Sequence, residues 1–282
     1  MNTEVVAIVV TYNSDATRLI KSLYALARQC TVVVVDNSTR SASCNSIRDA
    51  CKQTGATWMP LGDNYGIAHA QNCGITWARE HAASEILLMD DDSIPSETLV
   101  KDLLDTRRDY KVQPVVVSAR IISSEGKDMS NRAADNSVTL TPCSDLTSSG
   151  TLIPLTVFDQ VGLFDEQLFI DCVDFEWGWR VRARGLPLLL CNRVKLQHRL
   201  GEGTRMGMRI PSPIRHYYQY RNVSKMIVCS KAPLRWRLSQ LLRLPVKLFL
   251  IALLADHRSK RLRYAAWGLR DFLLGRTGRF NH

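Results

Sequence analysis

The chain has no long apolar run. Its longest, Leu248 to Ala255, counts eight residues, far below the roughly 18 that a helix needs to cross a bilayer. The eight cysteines, at 30, 44, 51, 73, 143, 172, 191 and 229, include no CxxC pair. Neither a zinc site nor a disulfide framework is expected, and the thiols read as reduced, as in a cytosolic protein. There is no GxGxxG and no GxxxxGK[ST], which argues against a dinucleotide fold or a P-loop. Met1 to Val10 carries no Lys or Arg and an apolar run of only six residues, Val5 to Val10. That is not the make-up of a secretory signal.

What is present is a chain of 282 residues, 45% hydrophobic and 23% charged. This is ample for one large domain with an appendage. Charge is unevenly placed. Residues 231–282 hold twelve Lys or Arg against two Asp or Glu, a balance of +10, while residues 1–230 hold 25 of each sign. Such asymmetry points to an anionic partner.

Val5–Val10, Thr31–Val35, Ile86–Met89 and Val115–Val117 are short apolar runs with strand character. Ala16–Arg28 has Leu19, Ile20, Leu23 and Leu26 at helical spacing, and Asn45–Thr54 and Ile67–Ala83 also read as helices. Alternating strands and helices predict an α/β fold with a parallel sheet and helices on both faces. In such sheets ligands bind beyond the carboxyl ends of the strands. Thr11–Asn13, Asp36–Ser38 and Asp90–Asp92 sit at those ends. Residues 123–147, rich in Ser, Asp, Asn and Thr, predict a long loop or irregular hairpin. Val173–Arg184 predicts a helix, and everything after Ile214 reads as helical.

Asp90-Asp91-Asp92 is the strongest chemical signal. Three adjacent carboxylates repel one another, and oxygen ligands from one or two carboxylates plus substrate phosphates commonly hold Mg²⁺ or Mn²⁺. A solvated turn capping a helix over Pro95–Leu104 is the plainer account; the strand-end position favours a metal–diphosphate clamp. Asp36-Asn37-Ser38 and Asn64-Tyr65-Gly66 are turns on the same edge, suited to a ribose or base. A second acidic cluster, Asp165, Glu166, Asp171, Asp174 and Glu176, stands among aromatics, where a carboxylate with a raised pKa serves as a general base. Taken alone, the cluster is better explained as acidic residues in a helix's first turn, favoured by the helix dipole. His198 is a metal ligand only if it approaches Asp90–Asp92. The stretch Arg215-His216-Tyr217-Tyr218-Gln219-Tyr220-Arg221-Asn222 suits either sugar and diphosphate contacts or helix packing. Beyond it come two basic helices with apolar sides, one from about Arg235 to Leu248 that Pro245 should kink or split and a second over Arg258–Leu274. They read as a membrane-surface device, a cap on the domain, or both. Long aliphatic stretches among the basic residues favour membrane over nucleic acid.

Taken in order, Val10-Thr11-Tyr12-Asn13, Val35-Asp36-Asn37-Ser38, Asn64-Tyr65-Gly66-Ile67-Ala68 and Leu88-Met89-Asp90-Asp91-Asp92 resemble the inverting family-two glycosyltransferases of GT-A fold. Ser149-Gly150, Val161-Gly162-Leu163-Phe164-Asp165-Glu166, Val173-Asp174-Phe175-Glu176-Trp177, His198 and Tyr217-Tyr218 to Arg221-Asn222 resemble the bacterial rhamnosyltransferase branch. The resemblance implies a GT-A domain over 1–225, with a nucleotide-binding half to about 120 and an acceptor half over 121–225. A membrane-associating helical tail would follow over 226–282. It implies that Thr11, Tyr12, Asn13, Asp36, Asn64, Gly66, Asp90 and Asp91 bind the donor nucleotide. Asp90, Asp92 and His198 would hold Mg²⁺ or Mn²⁺. Asp174 would be the catalytic base, although Val173 replaces the usual Glu before it and leaves Asp171 and Glu176 as alternates. Ser149, Asp171, Glu176, Trp177, Arg205, Tyr218 and Arg221 would contact acceptor or diphosphate. The implied reaction transfers L-rhamnose from dTDP-L-rhamnose with inversion onto a lipid-linked or lipopolysaccharide acceptor, in O-antigen or other surface glycan synthesis. Galactofuranosyl or other hexosyl transfer is the nearest rival. The implied place is cytoplasmic, peripheral on the inner face of the cell membrane, on an anionic surface and with no nucleic acid partner.

Overall fold

A computed structural model describes residues 5–108, 110–123, 125–130, 137–144, 147–198, 204–205, 208–209 and 211–281. Strands β1 (Val5–Thr11) and β2 (Thr31–Asp36) are almost wholly buried and pair in parallel, as continuous apolar runs do when helices cover both faces. Helix α1 (Ala16–Ala27) joins them. It starts at Asp15, whose carboxylate accepts from the Thr17 amide at 3.0 Å and so meets one of the first turn's free donors. Helix α2 (Ser41–Thr54) stops at Gly55, which takes the left-handed conformation that favours glycine. Edge strand β3 (Thr57–Pro60) follows. Helix α3 (Ile67–Glu80) then crosses the sheet to β4 (Glu85–Asp90), which pairs with β1 on its other side. The order β3-β2-β1-β4 is therefore a parallel unit, as the sequence pattern predicts for β1, β2 and β4, with β3 added at its edge.

Past β4 the sheet becomes mixed. The remaining elements are β5 (Ser93–Ile94), α4 (Leu99–Arg108), β6 (Val116–Ser123), β7 (Leu140–Pro142), β8 (Thr151–Pro154), α5 (Leu155–Val161), α6 (Val173–Ala183) and β9 (Leu188–His198). Strand β8 runs antiparallel to both β4 and β6, β9 is parallel to β6, and β5 is antiparallel to β9. The expectation of a parallel sheet thus holds only for the first four strands. Parallel neighbours need a crossover helix, and the described residues between β6 and β8 form none. The helix expected over Pro95–Leu104 instead begins at Leu99, because Ser93 and Ile94 are drawn into the sheet by pairing with His198 and Gln197.

Alternate residues of β1 feed two apolar layers. Val5, Ala7 and Val9 pack with Leu19 and Leu23 of α1, Ile47 of α2 and Leu103 of α4. Val6 and Ile8 pack with Ile75 of α3, Phe158 of α5 and Trp177 of α6.

Three helices close the chain: α7 (Pro213–Cys229), α8 (Leu234–Leu254) and α9 (Arg258–Leu273). Helix α7 runs unbroken across residue 225. Helix α9 lies so close to α7 that a Cβ on Gly268 would stand 2.3 Å from the Tyr217 carbonyl oxygen. The Tyr217 hydroxyl donates to buried Asp271 at 2.8 Å. Pro245 does not split α8 as expected. It faces solvent, where water can satisfy the carbonyl that a proline leaves without an amide partner. Among the described residues no helix is long and apolar enough to cross a membrane.

Candidate active site

A cleft of about 490 Å³ opens at the carboxyl ends of β1 and β4. Asp90 ends β4, and Asp91 and Asp92 form the turn into β5. Because Ser93 pairs with His198 across β5 and β9, the imidazole arrives beside this turn. Its Nδ1 lies 3.3 Å from Asp92 Oδ1 and 3.0 Å from Ser93 Oγ. Ser149, just before β8, completes the frame: its hydroxyl accepts from the Asp90 amide at 3.0 Å and meets Ser93 Oγ at 2.7 Å. One ligand atom from each of Asp90, Asp92 and His198 lies within 4.8 Å of the others.

The electrostatics of this corner are unbalanced. Burial, and then the charges of Asp92, Asp91 and Asp174, push Asp90 up to about 7 against the opposing pull of Arg215. Burial also raises Asp91 to about 6, although the Ser14 hydroxyl donates to it and holds it down. Two carboxylates and an imidazole suit a hard or borderline divalent cation. Such a cation would relieve the mutual repulsion that holds protons on Asp90. The residues present therefore fit a metal.

Facing this corner is the start of α6. The segment leading to it holds Phe169, Asp171 and Cys172 at φ of 64°, 66° and 67°, a conformation costly for residues other than glycine. Helix α7 supports it. The Asn222 side-chain amide lies 2.9, 2.8 and 3.0 Å from the carbonyls of Leu168, Ile170 and Asp171. Arg221 donates to the carbonyls of Gln167 and Leu168. Arg215 grips the Asp171 carboxylate with two nitrogens, at 2.5 and 3.4 Å. Asp174, on the first turn of α6, lines the cleft, and burial raises it to about 6 while the Phe175 amide pulls the other way.

On the opposite side, Asn37 bridges the Gly66 carbonyl and the Tyr65 amide at 3.2 and 3.1 Å. Gly66, at φ 90°, lies against Phe169: a Cβ there would be 2.5 Å from the Phe169 carbonyl oxygen. That carbonyl accepts from the Ile67 amide at 2.8 Å, which fastens the two walls of the cleft together.

Residues 6–156 match the profile of glycosyl transferase family 2. The dTDP-rhamnosyl transferase RfbF of Shigella flexneri is 32% identical over 260 residues, covering 83% of each chain. The chain belongs to glycosyl transferase family 2. The glycosyltransferase is also 23% identical over 209 residues to the low-salt glycan biosynthesis hexosyltransferase Agl10 of Haloferax volcanii, covering 68% of this chain and 66% of that one. Among solved structures, S. aureus TarS 1–349 in complex with UDP-GlcNAc superposes with a TM-score of 0.60 at 15% identity, over 99% of this chain and 94% of that one. GalNAc-T7 with UDP, GalNAc and Mn²⁺ gives 0.59 at 12% identity, over 83% and 54%. These two show a shared GT-A-like fold.

In the glycosyltransferase the cleft gathers Thr11, Tyr12, Asn64, Gly66, Asp90, Asp91, Asp92, Ser149, Asp171, Asp174 and His198 from the residues singled out in the sequence. Others lie elsewhere. Asp36 is buried behind the cleft, accepting from Thr11 Oγ1 at 2.9 Å, the Ser38 amide at 3.0 Å and Trp58 Nε1 at 3.2 Å. Asn13 spends its side chain on the backbone amides of Thr39 and Arg40. Glu176 is held by Arg180 at 2.8 Å, and Trp177 is a core residue donating to the Gly162 carbonyl at 2.9 Å. Tyr218 stacks on Phe169, with ring centroids 5.0 Å apart, and Arg221 is buried with its guanidinium over the Tyr217 and Tyr218 rings. Neither reaches the cleft, since both are consumed in holding the Gln167–Asp171 segment. The Arg205 side chain lies outside the described residues. Ser148 also lines the cleft with no signal in the sequence, and Asn37, Phe169 and Arg215 line it too, although the motifs that contain them assign them no role of their own. Arg215 opens the aromatic and basic stretch, so its signal was present but not separable from that of Arg221.

Proposed function

We propose that this glycosyltransferase transfers L-rhamnose from dTDP-L-rhamnose, with inversion, onto a saccharide acceptor that is lipid-linked, for O-antigen, lipopolysaccharide or another surface glycan. It would act peripherally at the inner face of the cell membrane. The observation carrying the chemistry is one cleft that sets Asp174 opposite Asp90, Asp92 and His198. The choice of donor leans on the similarity to RfbF, a dTDP-rhamnosyl transferase.

Thr11, Tyr12 and Asn64 line the side where the nucleoside would lie, with Asp36 and Asn13 shaping that wall from behind. Asp90, Asp92 and His198 would hold Mg²⁺ or Mn²⁺, whose chemistry is to offset negative charge developing on the diphosphate. Asp174 accepts the proton of the acceptor hydroxyl as that oxygen bonds the anomeric carbon from the face opposite the leaving group. The carbon–oxygen bond to the diphosphate breaks, its electron pair leaves with dTDP, and a single displacement inverts the centre. Arg215 supplies a fixed positive charge at the rim.

A donor panel tests the reading: dTDP-rhamnose, UDP-galactofuranose, UDP-glucose and GDP-mannose, each with Mn²⁺ or Mg²⁺, followed by nucleotide diphosphate release. Release should be greatest with dTDP-rhamnose, stop reversibly in EDTA, and fall about 10²-fold or more in Asp92→Asn. Full activity in EDTA removes the metal, and preference for another donor removes rhamnose.

A further inference from the structure

Helix α8 turns an apolar side to solvent. Leu234, Leu238, Leu242, Val246, Phe249 and Leu253 are spaced by three or four residues and so share one face. Each is at least half exposed, Leu242 at 74% and Phe249 at 64%. The opposite side is the packed one, with Leu244, Leu248 and Ile251 against Tyr220 of α7 and Ala265 of α9. A row of six large exposed side chains along one face of a 21-residue helix is a contiguous apolar strip of the kind that marks an interaction surface.

Charge identifies what covers it. Arg235 and Arg243 are exposed on α8 itself, and Arg258, Lys260, Arg263 and Arg270 are exposed on α9. The two acids of this region are already engaged, Asp256 with Arg261 at 2.8 Å and Asp271 with Arg276 at 3.7 Å. A second copy of the chain would therefore oppose basic residues with basic residues. An anionic lipid surface offers both the acyl chains and the complementary charge.

We infer that α8 is the membrane-docking face of the glycosyltransferase, its leucine row seated among acyl chains and Arg235 and Arg243 at anionic headgroups. The inward side of the same helix reaches the site. Lys247 bonds Gln219 of α7 at 2.6 Å and lies near enough to Asp171 and Arg215 to feel both charges. Docking through α8 thus sets the Asp171–Arg215 rim of the cleft behind the helix, one helix diameter, roughly 10 Å, from the bilayer surface, within reach of an acceptor that a lipid anchor holds there. This placement rests on the proposed reading of the acceptor.

The test uses the full chain with vesicles of phosphatidylglycerol and phosphatidylcholine, and of phosphatidylcholine alone. Nucleotide release without vesicles is measured in parallel. The native chain should co-sediment with the anionic vesicles, less with the neutral ones, and come off in high salt. The double variant Leu242→Glu, Phe249→Glu changes only solvent-facing positions. It should bind about tenfold or more weakly, since charged groups replace apolar ones at the acyl boundary, with vesicle-free release unchanged. Failure of the native chain to bind either vesicle, with release intact, overturns the docking face alone. So does a native dimer that the double variant converts to monomer, because a second copy then covers the row. Intact vesicle binding that the double variant loses, without nucleotide release from any donor, supports the docking face and overturns the transfer reading.

Discussion

The side-chain amide of Asn222 lies 3.0 Å from the backbone carbonyl of Asp171 and equally close to two neighbouring carbonyls, so a fully buried residue of α7 holds the segment that presents the acidic wall of the cleft. Three residues of that segment have positive φ. Such conformations persist only where their surroundings over-determine them, and here the Arg221-Asn222 pair does so.

Asn222→Ala removes this donor from the Ile170 and Asp171 carbonyls in a buried setting, which costs about 1–3 kcal/mol, while Leu168 keeps Arg221. The urea midpoint should fall accordingly. Turnover should fall further than unfolding accounts for, with the donor KM nearly unchanged, because Asp171 and Asp174 shift while the nucleotide side stays in place. Unaltered kcat in the folded variant would show that the clamp serves stability alone.

As the proposed base, Asp174 should set the acid limb of the pH profile. Burial raises its carboxyl to about 6, so below that pH the group carries the proton it must be free to accept. With Mn²⁺ saturating, so that the cation keeps Asp90 ionised, the logarithm of kcat should fall with unit slope as pH drops below about 6 and be flat just above it. Asp174→Asn should lose about 10²-fold or more at every pH. Glu176→Gln should be almost silent in catalysis, since Glu176 is bound to Arg180 away from the cleft. Loss of turnover in Glu176→Gln with Asp174→Asn active would reverse the assignment.

The reach of sequence reading is uneven for physical reasons. Strands β1, β2 and β4 are buried on both faces and therefore appear as unbroken apolar runs, which also locates Asp90–Asp92 at a strand end. Strand β3, an edge with half-exposed residues, has no such run and was not anticipated. Strand β5 is two residues long, too short for any periodicity, and it is the element that delivers His198. Tyr218 and Arg221 have the composition of a ligand-binding stretch, yet α7 turns them toward the 167–171 segment. Only the helical phase against that segment separates them from Arg215. Likewise the leucines of α8 were visible, but not which side of the helix α9 would cover.

Arg215 stands between Asp171, which it grips, and Asp90, whose proton affinity its charge lowers. Two effects of Arg215→Ala follow, with opposite signs for two ligands. Removing a cation near Asp90 and Asp92 strengthens the field that attracts a divalent ion, so half-saturation by Mn²⁺ should occur at lower concentration. The donor diphosphate loses a fixed positive charge, and a hydrogen bond to a charged group is worth about 1.5–3 kcal/mol. The donor KM should therefore rise by about tenfold or more. Arg215→Lys keeps the charge but cannot hold Asp171 with two nitrogens in one plane, so it should restore the Mn²⁺ response while recovering only part of the donor affinity. Measuring release against Mn²⁺ and against donor in the three proteins separates the effects. If Mn²⁺ half-saturation and donor KM move in the same direction in Arg215→Ala, the guanidinium acts through the folding of the Asp171 segment and not through its charge.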